Sequence, residues 1–161
     1  MCEVNETIAI QETYGPRFRN CWGCGSENDM GLHLKSYPSK DKKKCIARIK
    51  PDKQFTGGVP NNLFGGMIAM IFDCHGTASA AFFKHDAKGE TLDKNTIIDR
   101  FITARLEVDY IKPTPIDRQI TVESILEELG ERKAIVNMQM IVDGSISAKA
   151  RIIAVGVKDN M

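Results

Sequence analysis

Apolar and polar residues alternate along two neighbouring segments in the first third of the chain. The segments "LHLKSY" and "KCIARIKP" lie on either side of the polar turn "PSKDKK". A period of two is typical of half-buried β-strands, so the pair predicts a β-hairpin. The glycines, proline and asparagines of "QFTGGVPNN" predict a loop after it.

A different pattern, apolar on most sides of a helical wheel, runs from Gly65 to about His85. It predicts one long helix that is buried in the core, because a surface helix keeps a polar face. Gly89 and the polar residues around it predict where the helix ends. Inside the helix stand Asp73 and His75, and a core helix gains nothing from a buried carboxylate unless another group pairs with it or uses it.

Four further segments return to the strand pattern after the helix. They are "TARLEVDYIKP", "RQITVESILEEL", "RKAIVNMQMIV" and "SISAKARIIAVGV", separated by "TPID", "GE" and "DG". Strand segments joined by short turn sequences of this kind predict an antiparallel sheet. Two strands, a long buried helix and four strands give an α+β fold with a curved sheet wrapped around one central helix. We expect an irregular segment over residues 1–30 and a single domain over 31–158.

Composition and charge describe an ordinary globular protein. Of the 161 residues, 42% are hydrophobic and 27% are charged, and the net charge is +1. A net charge this small gives no overall positive potential that would attract nucleic acid or an anionic membrane. The first residues are unlike a secretory signal, and no run reaches the roughly 18 apolar residues of a membrane span, so we expect a cytoplasmic protein. Five cysteines, an odd number, fit free thiols in a reducing compartment.

Three stretches resemble motifs of one enzyme family. The first stretch resembles the family's opening "C-x-x-C-G-x-x-N-x-x-G-L" and reads "CWGCGSENDMGLHLK" here. The second resembles the family's helix "[H/N]-G-G-I-I-A-x-x-x-D-C-H" and reads "FGGMIAMIFDCHGTASA". The third resembles the family's strand before "R-P-x-P" and reads "TARLEVDYIKPTPID". In this order, over most of residues 20 to 156, they are similar to the PaaI-like acyl-CoA thioesterases. The resemblance implies a hotdog fold, hydrolysis of acyl-CoA to free acid and CoA without a cofactor or metal, and sites shared between the subunits of a homodimer or a dimer of dimers.

One position departs from the family pattern. Where the family usually has His or Asn before the two glycines, this chain has Phe64. A polar group that would orient the thioester is therefore missing, and Asn61 or Asn62 from the loop is the available substitute. This departure keeps a second hypothesis open, a non-catalytic acyl-thioester binding protein. A hotdog dehydratase is a weaker third hypothesis, because its His and acid pairing has no counterpart before the helix.

Gly65 and Gly66 begin the predicted helix. The first amide groups of a helix have no partner within it, so these two N–H groups can bind a carbonyl oxygen without a Cβ in the way, as in an oxyanion hole. The same glycines would also let the helix pack closely against a strand.

Asp73 is the candidate general base or nucleophile for the thioester. It follows Gly66 by seven residues, which is about 10 Å along a helix axis. One helix cannot place both groups on one thioester, so the spacing favours a two-fold dimer with the active sites at its interface. The alternative is a carboxylate paired with local backbone or a lysine.

Two further helix residues carry open alternatives. Thr77, one turn beyond Asp73, can hold the catalytic water or carboxylate, or its hydroxyl can bond to the preceding turn. His75 is about 200° around the helix from Asp73, which argues against an Asp-His dyad within one chain. It can reach a partner subunit or the loop, or be a hydrogen-bonded core residue.

Basic residues for the CoA phosphates are expected at the end of a strand. Lys112 and Arg118 flank "PTPID", with Arg105 and Arg100 behind them. Beside turns such residues are often plain solvated surface. Met70 and Phe72 would line an acyl slot or belong to the core.

Cys21 and Cys24 form a C-x-x-C pair. Such a pair can supply two ligands of a zinc site, which Cys45 or His33 would have to complete. A second pair at finger or ribbon spacing is absent from the sequence, and no helix follows the pair as a thioredoxin-type motif requires. We therefore expect a structural turn or lid here and no metal.

Overall fold

The computed structural model describes residues 3–4 and 8–157. Its strands and helix are β1 (Ser36–Pro38), β2 (Lys44–Ile49), α1 (Gly65–Ala87), β3 (Phe101–Tyr110), β4 (Ile120–Leu129), β5 (Lys133–Val142) and β6 (Ser145–Gly156). Short 3-10 helices cover Ile10–Thr13, Pro16–Phe18 and Lys53–Phe55. Cys2 and residue 158, where the predicted domain ends, lie outside the described residues.

The six strands form one antiparallel sheet in the order β1-β2-β4-β5-β6-β3. Every strand contacts α1, so the sheet wraps around the helix and the core lies between them. The predicted α+β architecture is confirmed. β1 and β3 are the two edges of this curved sheet, and both contact α1. Side chains on opposite sides of α1 therefore contact different edges of the sheet.

The predicted hairpin forms, but its first strand is shorter than its alternating pattern. β1 begins at Ser36 and pairs with β2 from there. The residues before it bond elsewhere: Leu32 N–H donates to the Trp22 carbonyl at 2.8 Å, and Leu34 N–H to the Gly23 carbonyl at 3.0 Å. The backbone of this stretch therefore pairs with the C-x-x-C loop instead of with β2.

The helix begins and ends where the sequence predicts. Phe64, in an extended conformation, precedes Gly65, and Gly89, with a φ of 75°, follows the end of α1 in a conformation that favours glycine. By length and composition α1 could cross a membrane, but 78% of its most apolar window is buried inside the domain. It is the buried core helix.

The N-terminal segment contributes to the same core. Ile10 and Tyr14 are almost completely buried. The buried Gln11 side chain donates to Ser36 Oγ at 2.9 Å and accepts from the Ser36 N–H at 2.8 Å. The boundary at residue 30 stays a prediction, since these contacts join the two sides of it.

Candidate active site

The N-terminus of α1 leaves two amide groups free. The Phe64 N–H donates to the Phe55 carbonyl at 3.1 Å, and the Phe64 carbonyl accepts from Met67 N–H at 3.0 Å. Between them, the N–H groups of Gly65 and Gly66 have no acceptor in the described part of the chain. These are the donors that an oxyanion would need.

Close packing also requires small residues at this point. A Cβ on Gly66 would overlap the Phe64 ring, with Phe64 Cδ2 3.1 Å away. A Cβ on Gly65 would lie 3.3 Å from the ring of Tyr110, whose hydroxyl donates to the Gly65 carbonyl at 3.0 Å. The glycines therefore satisfy both alternatives, close packing and accessible amides.

Among the residues that the structure describes, no polar side chain caps the helix in place of the family's His or Asn. Phe64 makes no side-chain capping bond and is 41% exposed. Asn62 is half-buried, and its amide donates to the Pro60 carbonyl at 2.9 Å. Asn61 is exposed with a φ of 61°. The described contacts direct neither asparagine to the free amides.

Asp73 is half-buried and faces β3. The Thr103 hydroxyl donates to Asp73 Oδ1, immediately before a bulge in β3 between Thr103 and Arg105. The Thr77 hydroxyl donates to the Asp73 carbonyl at 3.0 Å and to the Cys74 carbonyl at 3.3 Å. Thr77 is therefore bonded to the preceding turn, while Thr103 positions the carboxylate.

His75 faces the other edge of the sheet. Its ring is completely buried, and Nδ1 lies 2.8 Å from Ser36 Oγ in β1. Nε2 has no hydrogen-bond partner among the described residues, and the Cys45 backbone lies near the ring. Burial lowers the pKa of His75 to about 4. The ring is thus a neutral core group, and it lies on the opposite side of α1 from Asp73.

The predicted phosphate-binding cations are exposed and mostly paired. Arg105 forms an ion pair with Glu107 at 2.6 Å. Arg118 lies 3.7 Å from Asp117 and 3.8 Å from Asp143. These contacts, and the exposed position of Lys112, do not by themselves assemble a phosphate site.

Three other predicted residues lie in the core or at its border. Arg100 stacks over the buried Tyr14 ring, 4.6 Å from its centre. Phe72 is fully buried, whereas Met70 is half-buried beside the core. Met70 therefore remains the better candidate of the pair for an acyl slot.

The sequence reasoning missed Thr103 and Tyr110. Both belong to β3 and contact candidate site residues on α1, but no local pattern links them to helix positions 30 and 45 residues earlier. β3 is an edge strand whose outer side has no partner among the described residues. Exposed large apolar side chains lie along it and beside it, namely Phe64, Ile102, Tyr110 and Ile111.

A separate depression of about 530 Å³ lies on the outer face of the sheet, away from Asp73. Its charged residues are largely paired: Lys44 lies 3.0 Å from Glu123. Arg151 makes a two-fold contact with Glu127 at 2.9 and 2.7 Å, which lowers the pKa of that carboxyl to about 2. This surface does not contain the predicted catalytic residues.

Comparison with solved structures identifies the family. A thioesterase superfamily protein from Shewanella loihica PV-4 is 30% identical to this chain, with a TM-score of 0.61, over 79% of this chain and 93% of the other. The chain belongs to the thioesterase superfamily. The hotdog fold that the sequence motifs imply is therefore confirmed.

More distant solved structures share the fold. The E. coli PaaI protein from the phenylacetic acid degradation operon is 10% identical, with a TM-score of 0.62 and coverage of 79% and 81% of the two chains. A Streptococcus mutans UA159 protein, solved bound to acetyl CoA, is 13% identical, with a TM-score of 0.56 and coverage of 71% and 82%. No family model and no curated protein matches the chain.

Proposed function

We propose that this protein hydrolyses acyl-CoA thioesters to a free acid and CoA. The observation that carries the proposal is the half-buried carboxylate of Asp73, which accepts a hydrogen bond from Thr103 of β3. Asp73 lies on the same helix that presents the free amides of Gly65 and Gly66. A carboxylate and a pair of amide donors are the two parts that thioester hydrolysis needs.

The two parts must come from different subunits. α1 is unbroken from Gly65 to Ala87, so Asp73 stays about 10 Å along the axis from Gly66. The unpaired edge of β3 and the exposed Phe64, Ile102 and Tyr110 lie beside both groups. An edge strand of this kind is a template for pairing with a second chain. We therefore place each active site between Asp73 of one subunit and the glycine amides of the next.

The chemistry then follows from the positions of the groups. Asp73 takes a proton from water while the water oxygen attacks the thioester carbonyl carbon. The negative charge that forms on the carbonyl oxygen is stabilised by the N–H groups of Gly65 and Gly66. The C–S bond then breaks, and the proton returns to the departing CoA sulfur. In the alternative path Asp73 attacks the carbonyl carbon directly and the C–S bond breaks, so that CoA leaves as a thiolate that takes a proton from solvent. Water then hydrolyses the resulting anhydride to the free acid and the Asp73 carboxylate.

Supporting residues have more limited roles in this proposal. Thr103 fixes the Asp73 carboxylate, and Thr77 fixes the backbone of the turn that carries it. His75 and Asn62, whose described contacts are with the core and the loop, take no direct part. For the CoA phosphates the exposed Lys112 is the first candidate, because Arg105 and Arg118 would have to exchange carboxylate partners.

Phe64 supports a second function, non-catalytic binding of an acyl thioester. A phenyl ring at the start of the helix cannot donate a hydrogen bond to the substrate, as His or Asn would. In that case the free amides and the carboxylate would bind the thioester without turnover.

A panel of short, medium, long and aryl acyl-CoAs distinguishes the two functions. Free CoA and acid are measured by mass spectrometry, which avoids interference from the protein's own cysteines, and binding is measured by calorimetry. We expect turnover of at least one member of the panel. Binding without turnover would favour the second function, and neither binding nor turnover would contradict both.

A further inference from the structure

Three cysteines meet at the junction between the N-terminal segment and α1. Cys21 and Cys24 come from the C-x-x-C loop, and Cys74 comes from the helix; all three sulfur atoms lie within 4.8 Å of one another. The cluster includes neither Cys45 nor His33, the residues that sequence reasoning considered as completing the pair. Instead, folding brings in a cysteine 50 residues away from Cys24.

The spacing of the sulfur atoms fits a shared metal ion. Cys21 Sγ and Cys74 Sγ are 3.8 Å apart. Sulfur atoms bound at about 2.3 Å to a tetrahedral zinc ion are separated by about 3.8 Å. A disulfide would need the same two atoms at about 2.05 Å. The cluster is therefore already at the separation for ligation, whereas a disulfide requires the side chains to move.

The C-x-x-C loop is shaped around the Cys21 sulfur. The backbone N–H groups of Gly23 and Cys24 lie beside this sulfur. The Gly25 N–H closes the turn on the Cys21 carbonyl at 2.8 Å. A Cβ on Gly25 would lie only 2.5 Å from Cys21 N and 2.6 Å from Cys21 O, so the turn needs glycine.

Glycine is also needed where the loop meets the helix. A Cβ on Gly23 would overlap the Cys74 sulfur and would lie 2.5 Å from Met70 Sδ. The loop thus approaches α1 as closely as its backbone allows. Cys24 and Cys74 are buried there and Cys21 is half-buried, which leaves one side of the cluster accessible from solvent.

A positive charge lies near the cluster. The Arg100 guanidinium, stacked on Tyr14, is close enough to act electrostatically on Cys24. Three thiolates and a divalent ion have a net charge of −1, and a neighbouring arginine offsets that charge. Within the described residues, no carboxylate belongs to the group.

We propose that Cys21, Cys24 and Cys74 bind one Zn²⁺ ion, with the fourth position taken by water or a small ligand from solvent. The ion ties the N-terminal segment to α1 at the residue after Asp73. None of its three ligands is a residue that the proposed hydrolysis uses, and the site differs from the expectation of no metal drawn from the sequence.

The test uses the full chain, expressed with added zinc and purified anaerobically in the presence of a reductant. We expect about one zinc per chain by elemental analysis. After chelation, added Co²⁺ should produce the thiolate-to-cobalt charge-transfer absorption, and the midpoint of thermal unfolding should fall on chelation and recover with zinc.

Variants assign the ligands. Cys21→Ser is the main variant, because a half-buried site tolerates the change, and Cys24→Ser is the second. Both should lose zinc and the cobalt absorption. The matched control, Cys45→Ser, alters a buried cysteine that contacts Ser79 and Ser124 instead of the cluster, and it should retain both signals.

Three results would overturn the proposal. The first is wild-type protein, reduced and folded, that takes up neither zinc nor cobalt. The second is a Cys21–Cys24 or Cys21–Cys74 disulfide in the anaerobic preparation, detected by mass. The third is metal binding that survives in a folded Cys21→Ser protein at the wild-type level.

Discussion

Acidification should destabilise this protein through His75. The ring is completely buried between α1 and β1, where it contacts Ser36, and Ser36 in turn bonds to the uncharged side chain of Gln11. The Cys45 carbonyl near the ring favours the charged form, but burial outweighs it and no carboxylate among the described residues pairs with the ring, so the folded protein holds His75 in its neutral form.

The size of the effect follows from the two pKa values. Burial lowers the pKa of His75 from 6.5 in the unfolded chain to about 4 in the folded protein. Between these values the unfolded state binds the proton and the folded state does not, so stability falls as the pH falls. The contribution of neutral His75 is fully present above about pH 6.5 and lost towards pH 4, a change of about 3 kcal/mol.

The assay is urea unfolding at a series of pH values from 4 to 7, for the wild type and His75→Asn. Asparagine keeps an acceptor near Ser36 but does not titrate. The free energy of unfolding is plotted against pH for each protein, and the difference between the two slopes gives the contribution of His75. His33→Asn is the matched control, since His33 is exposed with a φ of 52°, which asparagine tolerates. If the wild type and His75→Asn lose stability in parallel over this range, the reasoning is wrong.

Two further predictions concern the candidate active site. Thr103→Val removes the hydroxyl that holds Asp73, and we expect kcat to fall about tenfold or more with an unchanged circular dichroism spectrum; full activity would refute the positioning role. Gly66→Ala places a methyl group against the Phe64 ring, so thioesterase activity should fall by about 10²-fold. Gly58→Ala, where an added Cβ meets nothing within 4 Å, should be neutral, and equal activity of the two alanine variants would contradict the oxyanion assignment.

The sequence predicted the elements well because their signals are local. The buried helix, its end near Gly89 and the antiparallel strands all follow from periodicity and turn residues. β1 was predicted too long, because alternation alone could not show that Leu32 and Leu34 pair with the C-x-x-C loop.

The side-chain partners were harder to predict, because they depend on contacts between distant segments. The helix period correctly separated His75 from Asp73, but no pattern links Asp73 to Thr103 or Cys74 to the C-x-x-C pair. Such contacts are fixed by the order of strands in the sheet and by how closely a glycine loop approaches α1. The identity of the catalytic residues remains a prediction that the contacts support.

The most direct test of the central claim compares Asp73→Asn with Asp86→Asn on the best acyl-CoA substrate. Both changes neutralise a half-buried carboxylate on α1, but Asp86 pairs with Lys42 at 2.7 Å, far along the helix from the glycine amides. If Asp73 is the base or nucleophile, its variant should lose about 10²- to 10⁴-fold in kcat while remaining folded, and Asp86→Asn should keep wild-type turnover. Wild-type turnover by Asp73→Asn would contradict the account.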